Sequence, residues 1–123
     1  MDTGIYSPKH FSEHEFNSCV PPCKMSDVSP ELLRLLDRIR DYVGQPIYVN
    51  SAYRTADYEL LRGRSGTSSH CKGLAVDISC KSSVLRRAIV CACMMLQIPR
   101  IGVGSTFVHI DIDSSKVPCL WTY

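Results

Sequence analysis

Two short segments alternate apolar and chemically active residues with a period of two, and this alternation constrains the fold more than any other feature. In "GLAVDIS", Leu74, Val76 and Ile78 share one face, and Gly73, Ala75 and Asp77 share the other. In "TFVHIDID", Val108, Ile110 and Ile112 oppose Phe107, His109, Asp111 and Asp113. Side chains two apart on a strand point the same way, so each segment reads as a strand with a dry face and a working face. A sheet containing both must cover its dry face with something else.

Helices supply that cover. "SPELLRLLDRIRDYVG" carries Ser29 to cap a helix, Pro30 at the first helical position, Glu31 against the positive end of the dipole, and Gly44 as a stop. Leu32, Leu35, Leu36, Ile39 and Val43 recur at three and four, which buries one side. "SSVLRRAIVCACMMLQI" predicts a second capped helix, closed by Pro99. "QPIYVNSAYR" reads as a short strand with Ile47 and Val49 on one face, and "TADYELLRG" as a brief helix capped by Thr55. "RGRSGTSS" reads as a loop, and "RIGVGS" as the first arm of a hairpin with "TFVHIDID". Helices and short strands without strict βαβ alternation give an α+β fold, a small antiparallel sheet flanked by helices.

At 123 residues, with no linker and no repeat, one domain is expected over 1–123. It divides into an irregular segment 1–24 anchored by Phe11 and Phe16, a core 25–113 and a tail 114–123. Basic residues outnumber acidic ones by only 14 to 12 and are dispersed, so no nucleic-acid partner is expected. No run approaches the ~20 apolar residues of a membrane span. "MDTGIYSPKHFSEHEF" has no apolar signal region, so synthesis in the cytoplasm is expected. Seven cysteines, an odd number, then read mostly as free thiols. "CVPPC" offers half of a zinc site, but no second pair stands at structural-zinc spacing.

His70 precedes Asp77 by seven residues. If the two alternating strands pair, His109 comes beside both. Two imidazoles and one carboxylate are a catalytic zinc set, three protein ligands with the fourth position open. Gly73 and Ala75 would then leave room above the metal. The competing reading is a turn histidine and an aspartate that caps a loop, and the pattern alone does not choose between them.

The order "YVNSAYRT", "SSHCKGLAVDI", "IGVGSTFVHIDI" resembles the zinc D-alanyl-D-alanine carboxypeptidase family, relatives of the D-Ala-D-Ala dipeptidases and of the hedgehog signalling domain. The shared pattern S-x-H-x-x-G-x-A-x-D is matched by Ser68, His70, Gly73, Ala75 and Asp77, within a likeness running from about Phe11 to Asp113. The resemblance implies that His70, Asp77 and His109 bind one zinc ion, Zn2+. It implies that Arg54 holds the substrate and supports charge on the scissile carbonyl, and that Ser68 contacts the substrate. It implies a peptidoglycan stem peptide as substrate, cut next to D-alanine by a carboxypeptidase or endopeptidase. Compact members occur in bacteria, phages and prophages, so action on the cell wall after release or phage delivery is expected, by a monomer.

The sequence departs from the better-known members in one respect. They carry Glu or Asp three residues before the last zinc histidine, where this chain has Thr106. Asp111, two residues beyond His109 on the same face, is the first candidate for the catalytic base. It serves equally as an acceptor that orients His109. Asp113 and Glu59 are weaker candidates. Without a base, the alternative is a non-catalytic zinc-containing module that binds cell wall or protein. A zinc or redox protein built on Cys19, Cys23, Cys71 and Cys80 is a third reading. Cys71 lacks the partners of a nucleophile. His10 and His14 read as surface residues, and Trp121 and Tyr123 as packing for the tail, with flanking of a substrate groove as the alternative.

Overall fold

Val76, Ile78, Val108 and Ile110 are all fully buried, so the dry faces of the two alternating segments do form one surface. The computed structural model describes residues 6–123. In chain order these form α1 (Glu13–Asn17), α2 (Pro30–Val43), β1 (Val49–Ser51), α3 (Ala56–Leu61), β2 (Ala75–Ser79), α4 (Ser83–Met95), β3 (Arg100–Val103), β4 (Phe107–Asp111) and β5 (Cys119–Thr122). The strands make one sheet in the order β1-β2-β4-β3-β5. The β1–β2, β2–β4 and β3–β4 pairs are antiparallel, whereas β3–β5 is parallel. The result is a small α+β domain. Among the described residues, no helix is long and apolar enough to cross a membrane.

The dry face is covered by α2 and α4. Leu32, Leu36 and Ile39 of α2 join Ile89, Ala92 and Cys93 of α4 in one cluster with the four strand residues. Burying each such aliphatic chain contributes roughly 1.5–3 kcal/mol. Leu33 is buried too, while Leu35 and Val43 are only partly covered, so the buried stripe of α2 is turned slightly from the one its spacing predicts. Thr55 caps α3 by accepting the Tyr58 N–H at 3.1 Å, and Ser82 caps α4 by accepting the Leu85 N–H at 3.0 Å. Ser29 stands at the start of α2 but makes no side-chain cap. Its own N–H donates instead to the Gly73 carbonyl at 2.8 Å. Gly44 ends α2 in the left-handed conformation, as its position predicts.

The stretches 6–24 and 114–123 are more ordered than the sequence suggests. The segment 1–24 holds α1, and its anchors Phe11 and Phe16 are buried; residues 1–5 lie outside the described part. Buried Asp37 on α2 ties this segment down, accepting from the Tyr6 hydroxyl at 2.7 Å and from the backbone of Lys9 and His10. The expected tail contains β5, so the sheet is mixed and not wholly antiparallel. Hydrogen bonds from Cys119 N–H to Pro99 and from Tyr123 N–H to Val103 hold this strand at each end.

Asp113 fastens the turn that carries His70 to the end of β4. Its carboxylate accepts from Ser69 Oγ at 2.9 Å, Lys72 Nζ at 3.1 Å and Ser115 Oγ at 2.6 Å. The Ser115 donors, with Lys72 and Ser69, hold this carboxyl well below the usual range despite its burial. Asp113→Ala is expected to cost about 1–3 kcal/mol in chemical denaturation at neutral pH, chiefly by leaving the buried Ser69 hydroxyl without its acceptor. A depressed folded pKa stabilises above the unfolded value and loses that contribution as pH falls through the folded one. The gap between wild type and variant should therefore narrow only below about pH 4.

Candidate metal centre

The register of the sheet builds the centre. Asp77 and His109 are direct partners across β2 and β4, and directly opposed side chains share a face within about 5 Å. The same row runs through Ser51 on β1, Gly102 on β3 and Trp121 on β5. His109 Nδ1 lies 3.1 Å from Asp77 Oδ1. His70 arrives from outside the sheet, on a single 3-10 turn at Ser69–Lys72, and places Nε2 at 3.4 Å from the same Asp77 oxygen. One ligand atom from each of the three lies within 4.8 Å of the others.

Gly73 closes that turn at φ +70, and a Cβ there would run into the Asp27 carbonyl oxygen. Its smallness serves a backbone crossing, and Ala75 is wholly buried opposite Asp111. Neither residue lines the cleft that opens over the centre.

Both imidazoles turn one ring nitrogen toward Asp77 and have the other engaged behind the ring. His70 Nδ1 donates to the Ala52 carbonyl at 2.6 Å, which leaves the Nε2 lone pair facing Asp77. That Nε2 is buried with no hydrogen-bond partner. Buried polar atoms are almost always paired, so an orphan of this kind calls for a ligand. His109 is mirrored: Nε2 donates to Asp111 Oδ2 at 2.7 Å, leaving Nδ1 toward Asp77. Tautomers fixed by an acceptor behind the ring are the usual support of a metal-binding histidine. Burial raises the Asp77 carboxyl, but the nearby His109 and His70 outweigh it and keep the group well below its ordinary range. Burial alone would lower His109, yet Asp111 and Asp77 on its two sides raise it. Two nitrogens and one carboxylate oxygen with an open side fit a divalent ion of the zinc type.

A cleft of about 420 Å³ lies over this cluster. Arg54, Glu59, Arg64 and Ser68 line it from the segment after β1, and Phe107 and Tyr123 from β4 and the end of β5. Arg54 Nη1 donates to Ser51 Oγ at 3.2 Å and stands 3.9 Å from Asp77 Oδ2. Glu59, 1% exposed, accepts from Arg64 Nη1 at 2.6 Å and faces Arg54 Nε at 3.5 Å. Burial raises Glu59, but Arg64 and Arg54 hold it below its ordinary value.

Asp111 is on the predicted strand face but does not line the cleft. Its carboxylate is engaged behind His109 by the ring Nε2, by Arg100 Nε at 2.9 Å and by the Asp113 N–H at 3.2 Å. Asp113 lies in the stapled turn described above. Thr106 is exposed, and its carbonyl accepts the Cys80 N–H.

The end of the chain divides the two readings of Trp121 and Tyr123 between them. Trp121 lies over Gly102, where a Cβ would stand 2.6 Å from the indole. Its ring centroid is 5.3 Å from that of His109, so it packs the centre's flank as expected. Tyr123 instead reaches the cleft beside Phe107, with ring centroids 4.9 Å apart. The signal was present in "CLWTY", where Cys119, Trp121 and Tyr123 alternate with Leu120 and Thr122. Arg64, between Gly63 and Gly66 in a polar loop, carried no sequence signal at all.

The cysteine reading is not supported. All seven cysteines are free, and none joins the metal cluster found among the described residues. His10 bonds Asp41 at 2.7 Å on the surface, and His14 is likewise exposed.

A family model described as Peptidase M15 matches residues 9–111. No curated protein and no solved structure matches the chain. The matched span carries His70, Asp77 and His109, the acceptors Ala52 and Asp111 behind the two rings, and every cleft residue except Tyr123, and it ends where β4 ends. A match over most of the chain places it, with its His-Asp-His cluster, among metal-dependent peptidases: the chain belongs to the peptidase M15 family.

Proposed function

We propose that the chain is a zinc peptidase acting on peptidoglycan stem peptides, with cleavage next to D-alanine at the bacterial cell wall. The observation that carries this reading is His70 Nε2, buried without a hydrogen bond at the floor of an open cleft and converging with His109 Nδ1 on Asp77 Oδ1. His70, Asp77 and His109 would hold one zinc ion, which when bound would supply Lewis-acid chemistry, making water more acidic and the scissile carbonyl more electrophilic. The Ala52 carbonyl and Asp111 keep the two rings aimed. Arg54, beside Asp77, donates to the carbonyl oxygen as negative charge develops there. Ser68 contacts the substrate, and Phe107 and Tyr123 form its apolar wall. Glu59 is the cleft carboxylate other than Asp77, so in this reading it takes the proton from water and returns it to the leaving amine.

One observation favours a second reading, a zinc-containing binding module without turnover. Both Glu59 oxygens face guanidinium groups, and Asp111 is held behind His109. Incubating zinc-loaded protein with cell-wall sacculi or an acyl-D-Ala-D-Ala peptide, with and without chelator, separates the two. New amines released only without chelator support the peptidase. Stoichiometric zinc with no cleavage of any stem peptide supports the module.

A further inference from the structure

We propose that Arg64 selects substrates ending in a free carboxylate, so that the cleft trims peptide termini in preference to opening cross-links. This rests on the peptidase reading for the identity of the cleft, but its own basis is the way two guanidinium groups share one buried anion. Glu59 Oε1 faces Arg54 and Oε2 faces Arg64, and Arg54 has Asp77 beside it as well, so Arg64 is the arginine that has only a share of one anion.

The two arginines are not equivalent. The Arg54 side chain is 16% exposed and stands beside Ser51 and Asp77, at the metal end. Arg64 is 51% exposed and fastened through Nη1 alone to Glu59. Its remaining guanidinium nitrogens make no other hydrogen bond or ion pair among the described residues. A planar fork anchored by one corner to an immobile acid is restrained before any ligand arrives, with donors left to bind an anion. Guanidinium matches carboxylate in shape and charge, often through two parallel bonds.

A peptide that continues past the scissile residue presents a neutral amide to the same place. It gains no charge-assisted bond from the free donors of Arg64. Hydrogen bonds involving charged groups contribute roughly 1.5–3 kcal/mol, which corresponds to a preference of about 10- to 100-fold for the acid.

The test measures binding without turnover. A ketomethylene isostere of acyl-D-Ala-D-Ala, whose central bond cannot be hydrolysed, and its C-terminal amide are titrated calorimetrically into zinc-loaded protein. The wild type should bind the acid about 10- to 100-fold more tightly than the amide. Arg64→Ala should abolish that preference with little change for the amide, and Arg64→Lys should keep part of it. Circular dichroism and zinc stoichiometry verify that the variants are folded. Equal affinity or no binding in the wild type overturns the proposal, as does a preference that survives in folded Arg64→Ala. Failure of the peptidase reading appears elsewhere, as absent amine release from the cleavable peptide while the acid preference persists.

Discussion

Asp77→Ala is expected to abolish stoichiometric zinc binding and to lower peptide cleavage by about a thousandfold or more. Asp77 is the single anion of the cluster, and its Oδ1 is the point that His109 Nδ1 and His70 Nε2 approach, at 3.1 and 3.4 Å. Without it, two neutral imidazoles remain, too few donors to hold the ion in a defined geometry. A Lewis acid is worth several kcal/mol at the transition state, and about 4 kcal/mol corresponds to a thousandfold in rate. The fold should persist, because Asp77 lies outside the apolar cluster that joins the sheet to α2 and α4. Metal content after dialysis, circular dichroism and amine release on the same preparation make the test. Cys19→Ser serves as the control: full zinc in that variant and none in Asp77→Ala is the expected pair. Full zinc in Asp77→Ala would remove the proposed centre.

The centre was legible because strand periodicity and metal chemistry impose the same pattern. Val108 and Ile110 had to be buried, so His109 had to face the other way, and antiparallel pairing then set it opposite Asp77. His70 could be read only from its spacing, since a turn obeys no periodicity. The helices were legible through Pro30, Thr55, Ser82 and Gly44, each of which acts on its own local backbone.

What escaped the sequence depends on contacts between distant segments. Gly73 looks like a residue kept small for a ligand, but the atom it avoids belongs to Asp27, far back in the chain. β5 is four residues long and pairs in parallel with β3, so no hairpin turn announces it. Once it is in place, Gly102 is explained, because the indole of Trp121 occupies the space of a side chain. The Glu59–Arg64 pair lies only five residues apart, yet its meaning comes from the cleft it lines and from Arg54 on the other side of the acid.

Asp111 is where pattern and geometry diverge most usefully. Two residues beyond His109, it could have faced the water or supported the ring, and parity alone cannot separate these. In the structure it is 1% exposed, with Arg100 Nε and the Asp113 N–H on its oxygens as well as His109 Nε2. Asp111→Asn is therefore expected to weaken zinc affinity by about 10- to 100-fold while sparing turnover once zinc is saturating. The amide has one acceptor oxygen where the carboxylate has two. If Arg100 keeps that oxygen, the side chain offers an N–H to His109 Nε2, which favours the tautomer with its proton on Nδ1, the atom needed for the ion. A base would behave in the opposite way: zinc affinity would hold, and kcat would fall by about 10²–10⁴ at full occupancy. A zinc competition titration combined with amine release across a range of zinc concentrations distinguishes the two. Activity recovered by added zinc assigns Asp111 to holding the ring, whereas activity lost at full occupancy would return it to the chemistry and release Glu59 from that role.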